Sequence, residues 1–320
     1  MTMHLKALVA LLGWSIAMAA VGQGYPDKPV KIIVGYAAGG GPDVVARLLA
    51  QKLTQSLGQP FVVESRVGAT GTIATAQVAK SLPDGYTLLL GETAQLAIVP
   101  YVYKTLGYDP AKDLAPVALM ITAPLVLVSS VKTTQIKTLD ALIREATARP
   151  GKLDYGTVGI GSMYHTAMET MKADLGISVT HIPYKGGPLT VSALLTGEVP
   201  LILTTVSSLG QNIGQANILA VTSKDRYAVL PEVPSISEVI KGYDFSSQMG
   251  VLAPAGTPPE VVAKLSSAIK AAIHSPDFLD QLKTMGFAMT WGSPEAYADN
   301  IRQKLAKYAR AVMLANIQPE

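Results

Sequence analysis

The sequence predicts an α/β protein of two lobes, each a mixed, mostly parallel sheet flanked by helices. Three observations lead there. An apolar, β-branched run at 30–34 meets Gly39, Gly40 and Gly41, and a helical pattern of Val44, Val45, Leu48 and Leu49 follows at once. A similar unit recurs far downstream, with a strand at 152–158, the loop Gly159-Ile160-Gly161-Ser162 and a helix at 163–175. Short apolar runs alternate with helical patterns along the rest of the chain, which implies βαβ units. Each strand, glycine loop and helix start forms an anion cradle. The glycines let backbone N–H groups approach a ligand, and the helix N-terminus adds partial positive charge. Two such cradles in one chain imply two lobes that close on one anion.

The elements follow in order. After the first strand a helix is expected at 43–57, with Pro42 at its first position, where a missing N–H is harmless. Asp43 favours the helix dipole and is expected to cap or brace the glycine loop rather than face an anion. A strand at 61–64, the loop Arg66-Val67-Gly68-Ala69-Thr70-Gly71 and a helix at 72–80 come next. Pro83-Asp84-Gly85 marks a turn before a strand at 86–90. Right-handed crossovers then place the loops after the strands along one edge of the sheet. Residues 114–130 are mostly apolar and extended, broken by Pro116 and Pro124, and suited to crossing between lobes. A helix at 139–148 ends at Pro150-Gly151 and leads to the second cradle. Strands at 179–182, 199–204 and 219–222 and a helix at 187–195 follow. A strand at 250–254 precedes a helix opened by Thr257 as N-cap and Pro258 at N1. Two C-terminal helices, about 260–274 and 294–313, complete the chain.

The 320 residues are enough for two lobes. Residues 1–22 read as a cleaved secretory signal peptide: a short cationic start, an apolar run at 7–21, then small residues. No later stretch approaches the roughly 18 apolar residues of a membrane span. Cysteine is absent, which excludes disulfides, thiolate metal sites and cysteine nucleophiles and suits an oxidising periplasm. The formal charge is +3 with Lys and Arg scattered, so no nucleic-acid partner is expected.

The chemistry is sparse. Residues 39–41 lack both the G-x-G-x-x-G spacing and a following Gly-Lys-Ser/Thr, so neither a dinucleotide fingerprint nor a P-loop is present. Ser162 is placed to cap the second helix. His165, one turn in, has Glu169 at i+4 but no further ligands at metal spacing. It reads as helix-start packing or an edge-of-site contact, with no metal. His181 and His274 read as structural. Ser129-Ser130-Val131-Lys132 matches S-x-x-K without its companion motifs, and neither G-x-S-x-G nor H-E-x-x-H occurs. Nothing pairs a nucleophile with its base and orienting acid, so no enzyme and no cofactor are expected.

Other motifs run the length of the chain. Tyr25-Pro26-Asp27-Lys28-Pro29 precedes the first glycine loop, and Val45-Ala46-Arg47 follows it. Val62-Val63-Glu64, Pro83-Asp84-Gly85-Tyr86-Thr87-Leu88, Tyr108-Asp109-Pro110, His181-Ile182-Pro183-Tyr184-Lys185-Gly186 and Leu252-Ala253-Pro254-Ala255-Gly256-Thr257-Pro258 continue in order. Together they resemble the solute-binding proteins of tripartite tricarboxylate transporters, the Bug receptors. The resemblance implies a periplasmic receptor of the type II periplasmic binding protein fold, with two crossing strands as hinge. The lobes it implies are 23–122 with 250–320, and 123–249. It implies one ligand carboxylate gripped by two facing loops, partly through ordered waters. These map onto Tyr36, Ala38, Gly39, Gly40 and Gly41, and onto Gly159, Ile160, Gly161 and Ser162, with His165 at the edge. Glu92 and Thr93 follow another strand end and are expected near the cleft. Members often carry Asp-Asn where this chain has Thr204-Thr205, and Thr cannot pair with an amine. The expected ligand therefore lacks an amino group: a dicarboxylate, a hydroxy acid or an aromatic carboxylate. The expected partners are integral-membrane transporter subunits, with a membrane sensor kinase as the alternative and a secreted hydrolase or isomerase as a third reading. A monomer is expected.

Overall fold

A computed structural model describes residues 24–319. The signal-peptide assignment lies outside the described residues. The first lobe opens with β1 (Val30–Val34), α1 (Gly41–Leu57), β2 (Phe61–Ser65), α2 (Thr72–Ala79) and β3 (Thr87–Glu92). β1 is buried at Val30, Ile32, Ile33 and Val34, as a central parallel strand covered on both faces should be. α1 buries Val45, Ala46, Leu49, Ala50 and Leu53, a single helical face. Gly58 ends it in the left-handed conformation, its N–H bonded to the Thr54 carbonyl. α1 begins at Gly41, two residues earlier than expected, and β3 runs two residues further, to Glu92.

β4 (Leu114–Ser130) crosses the molecule as one strand. It is followed by α3 (Leu139–Ala148), β5 (Asp154–Thr157), α4 (Met163–Leu175), β6 (Thr180–Pro183), α5 (Gly187–Thr196), β7 (Leu201–Thr205), the short α6 (Val206–Leu209) and β8 (Ala216–Val221). β9 (Ser246–Pro254) returns, and α7 (Pro259–Ile273), α8 (Pro276–Thr284), β10 (Ala288–Gly292) and α9 (Pro294–Leu314) end the chain. The strand order is β2-β1-β3-β9-β4-β7-β5-β6, with β8 and β10 also paired to β4. β1 pairs in parallel with β2 and β3, and β5 with β6 and β7. Among the described residues every antiparallel pairing involves β4 or β9. The parallel expectation thus holds for the outer strands of each lobe and gives way at the crossing.

The two prolines that interrupt 114–130 do not end the strand. The register of β4 against β9 slips just after Pro116. Pro124, opposite Ser246, is the last residue paired with β9, and Leu125 begins the pairing with β7. Proline brings no N–H to a ladder, so it survives where the ladder is broken or changes partner.

Three local readings change. Thr257 does not cap α7: its hydroxyl donates to the Pro254 carbonyl at 2.8 Å, and Pro258 holds the cap position without a side-chain bond. α8 and β10 were not anticipated; α8 buries only Phe278 and Leu282, and β10 is half-buried at most positions. α9 serves both lobes. Tyr297 and Ile301 pack with Ile33, Leu89 and Leu119, whereas Tyr308 and Ala311 join Leu125, Tyr155 and Leu203.

Candidate ligand-binding site

The carboxyl ends of β1, β3, β5 and β7 open on one cleft of about 850 Å³, where open parallel sheets bind ligands. The first loop is held from below by Asp43, which is 1 % exposed. Its carboxylate accepts the Gly39 N–H at 2.9 Å and a two-pronged contact from Arg47 at 2.9 and 3.0 Å. Arg47, and then the Gly39 N–H, hold the Asp43 carboxyl below its usual range against the effect of burial. Asp43 therefore braces the loop, as its sequence position implied. The three glycines have different reasons. Gly39 turns at φ +80°, Gly40 has an ordinary φ of −71°, and a Cβ on Gly41 would lie 3.0 Å from the Phe287 ring. The N–H of Gly40 is already bonded to the Ala37 carbonyl. The donors left for a ligand are those of the first turn of α1.

The second loop is built differently. Ser162 donates to the Gly159 carbonyl at 2.7 Å and accepts the His165 N–H at 3.2 Å, capping α4. Gly161, at φ +77°, directs its N–H toward His165 Nδ1 at 3.4 Å. His165 is 6 % exposed and stacks on His181. It supports the loop from behind and does not line the cleft. Ile160, 70 % exposed, does line it.

Of the residues expected at the site, Tyr36, Gly41, Gly159, Ile160, Gly161, Ser162 and Thr205 line this cleft. Ala38, Gly39 and Gly40 shape the first loop without lining it. Thr204 turns away from the cleft because successive residues of β7 face opposite sides, and Thr93, just past the end of β3 in a helical conformation, is buried away from it as well. Thr204 is buried in register with Val126, while Thr205 at the strand end accepts the Ser208 N–H at 3.1 Å. Thr93 instead accepts the Gln248 N–H at 2.9 Å, tying the end of β3 to β9.

Glu92 does face the cleft. One carboxylate oxygen accepts from the Tyr36 hydroxyl and the other from the Ser247 hydroxyl, the latter at 2.5 Å. Burial, and then the Glu92 charge, push the Tyr36 phenol far up and the Tyr164 phenol up to about 12. Tyr36 comes from the first lobe and Tyr164 from the second, so Glu92 acts across the cleft. Among the described residues lining it, Glu92 is the only charged side chain; no Lys, Arg or His reaches it. Positive potential comes instead from the N-termini of α1 and α4, each equivalent to roughly half a unit charge. The rest of the wall is largely apolar, including Ile98, Val102, Met249 and Phe287. Phe287 lies next to the unanticipated β10. Residues 316–318 reach the cleft because α9 crosses to the second lobe, which no local pattern announces.

Comparison with known proteins agrees with this architecture. A family model described as the tripartite tricarboxylate transporter family receptor matches residues 45–317. The chain belongs to this receptor family. The receptor is 35 % identical to Protein BugT of Bordetella pertussis over 321 residues, covering 97 % of this chain and 98 % of that protein. It is similar in structure to Rpa4515 of R. palustris with adipate, at 33 % identity and TM-score 0.75, over 92 % of this chain and 100 % of the other. The periplasmic binding protein BugD matches at 32 % identity and TM-score 0.71, over 92 % and 100 %. The family is one of periplasmic solute-binding receptors, not enzymes. Among the described residues no group of His, Cys, Asp or Glu is placed to hold a metal ion, and no helix is long and apolar enough to cross a membrane.

Proposed function

We propose that this receptor captures a small organic carboxylate between its lobes and delivers it to the membrane subunits of a tripartite tricarboxylate-type transporter. The observation that carries the reading is the meeting of two helix N-termini, from α1 and α4, at one cleft without a basic side chain. Preformed backbone donors suit a carboxylate, and waters can bridge those they do not reach directly. The grip assigned here comprises Tyr36 and Gly41 from the first lobe, and Gly159, Ile160, Gly161, Ser162 and Thr205 from the second. Residues 24–122 and most of 250–319 move as one body and 123–249 as the other, with β4, β9 and α9 spanning them. Closure excludes bulk water and strengthens each contact. The adipate carried by the R. palustris relative is consistent with a carboxylate ligand.

A thermal-shift screen of the purified receptor against mono-, di- and hydroxycarboxylates tests the reading, since a ligand that binds only the folded form raises its midpoint. Recovery of the ligand unchanged accompanies binding. No shift with any carboxylate overturns the assignment.

A further inference from the structure

Among the described residues that line the cleft, the one charged side chain is negative, which in a receptor for anions calls for a reason. Glu92 is held there deliberately. It ends β3 two residues beyond the expected strand, on the floor between the lobes. Tyr36 and Ser247, from β1's loop and β9, each donate a hydroxyl hydrogen to it, one to each carboxyl oxygen. A carboxylate oxygen accepts about two hydrogen bonds, so each retains capacity for a donor on a bound molecule.

We infer that Glu92 determines the ligand class of this cleft: it selects a molecule whose carboxylate sits in the glycine loops and whose second polar group donates hydrogen bonds, an ammonium foremost, and it selects against a second carboxylate. The inference rests on the carboxylate reading given above. It departs from the expectation drawn from Thr204 and Thr205, which names a ligand without an amino group. That expectation was right that neither threonine supplies a negative charge, but the charge comes from the opposite lobe. A dicarboxylate would bring two negative charges to a cleft that already holds one, with only two helix ends to offset all three. An ω-amino acid places opposite charge beside Glu92. The apolar wall between suits the methylene chain of either.

The test uses matched pairs of equal length: succinate against 4-aminobutanoate, glutarate against 5-aminopentanoate, and adipate against 6-aminohexanoate. Calorimetry on the full receptor should show the amino acid binding at least tenfold tighter than its dicarboxylate partner at the length that fits. Glu92→Gln keeps the shape and can still meet Tyr36 and Ser247. It should cut that ratio at least tenfold, chiefly by improving the dicarboxylate. Tighter binding of the dicarboxylate by the unaltered receptor, or an unchanged ratio in the variant, overturns the role of Glu92 while carboxylate capture stands. Binding of neither series, with no thermal shift from any carboxylate, overturns both. The comparison on the unaltered receptor decides the matter even if the variant does not fold.

Discussion

His165 and His181 stack with ring centroids 4.1 Å apart and planes 15° from parallel, directly behind the second glycine loop. The pair links the loop to the core of the second lobe. His165 Nδ1 faces the Gly161 N–H, and His181 Nε2 lies 2.6 Å from the Thr157 hydroxyl. Burial lowers the basicity of both rings. For His181, burial and then the neighbouring His165 bring the pKa to about 4, with Glu169 opposing.

The sign of the pH dependence follows. The folded state binds protons on His181 only near pH 4, whereas the unfolded chain binds them near 6.5. Between those values the unfolded state holds more protons, so stability is complete above about 6.5 and falls as pH drops toward 4. The loss amounts to at most about 3 kcal/mol. Melting midpoints measured from pH 7.5 to 4 should decline through this window, and His181→Gln should flatten the slope. An identical slope in the variant would rule out His181 as the cause.

Gly161 is the glycine on which the second loop depends. An added Cβ there meets nothing within 4 Å, but φ of +77° is a left-handed conformation. Forcing an L-residue into it costs roughly 1–2 kcal/mol, more for a β-branched one. Gly161→Val should therefore reduce carboxylate affinity at least tenfold while the core, untouched, keeps a cooperative melt. Gly40→Ala makes the contrast. Its φ of −71° is ordinary, and the new Cβ would sit 3.1 Å from the Ala37 carbonyl, so the loop needs only a small adjustment. Equal affinities for the two variants in calorimetry would show that the Gly161 conformation does not matter to binding.

Asp43 carries the first loop, and its removal should be felt there. Asp43→Ala leaves the Gly39 N–H without its acceptor and frees Arg47, whose side chain is about half exposed. The expected loss is about 1–3 kcal/mol of stability, the range for losing a hydrogen-bonded charged group. Because Arg47 first and the Gly39 N–H next lower the folded pKa of Asp43, its contribution is full above the unfolded value near 3.9 and disappears in stronger acid. Denaturant melts at pH 7 and pH 3 separate this from a simple packing loss. A difference between wild type and variant that is undiminished at pH 3 would exclude the charge as its source.

The two cradles could be read from sequence because each is local: strand, glycines and helix lie within about thirty residues, and α3 and α4 have the expected limits. Asp43 as a brace followed from the same logic. What failed needed partners distant in the chain. Thr204 and Thr205 differ only in which side of β7 they face, and that side is set by pairing with β4. Glu92 was expected near the cleft and lines it; what the chain did not announce is that β3 continues to it against β9, where Glu92 is in register with Met249. Phe287 and residues 316–318 arrive through β10 and α9, whose positions depend on long-range packing.

α9 joins the two lobes by packing and by an ion pair. Arg310 lies 2.5 Å from Asp174 on α4, but the arginine is half exposed and the aspartate 24 % exposed. Solvent screens such a pair, so Arg310→Ala should change stability by less than about 1 kcal/mol. Tyr308, one helical face away, is fully buried and meets Phe245 edge-on with centroids 5.5 Å apart. Removing its ring leaves a cavity that the surrounding helix and strands cannot close, for a loss of about 3–5 kcal/mol. Since Tyr308 belongs to the second-lobe core and Tyr297 of the same helix to the first, Tyr308→Ala should also free the end of α9 from the second lobe. Hydrogen exchange would report this as faster exchange over residues 305–314, with residues 295–302 still protected. Uniform exchange along the whole helix would mean that α9 is held as a unit by the first lobe, and that its contact with the second is incidental.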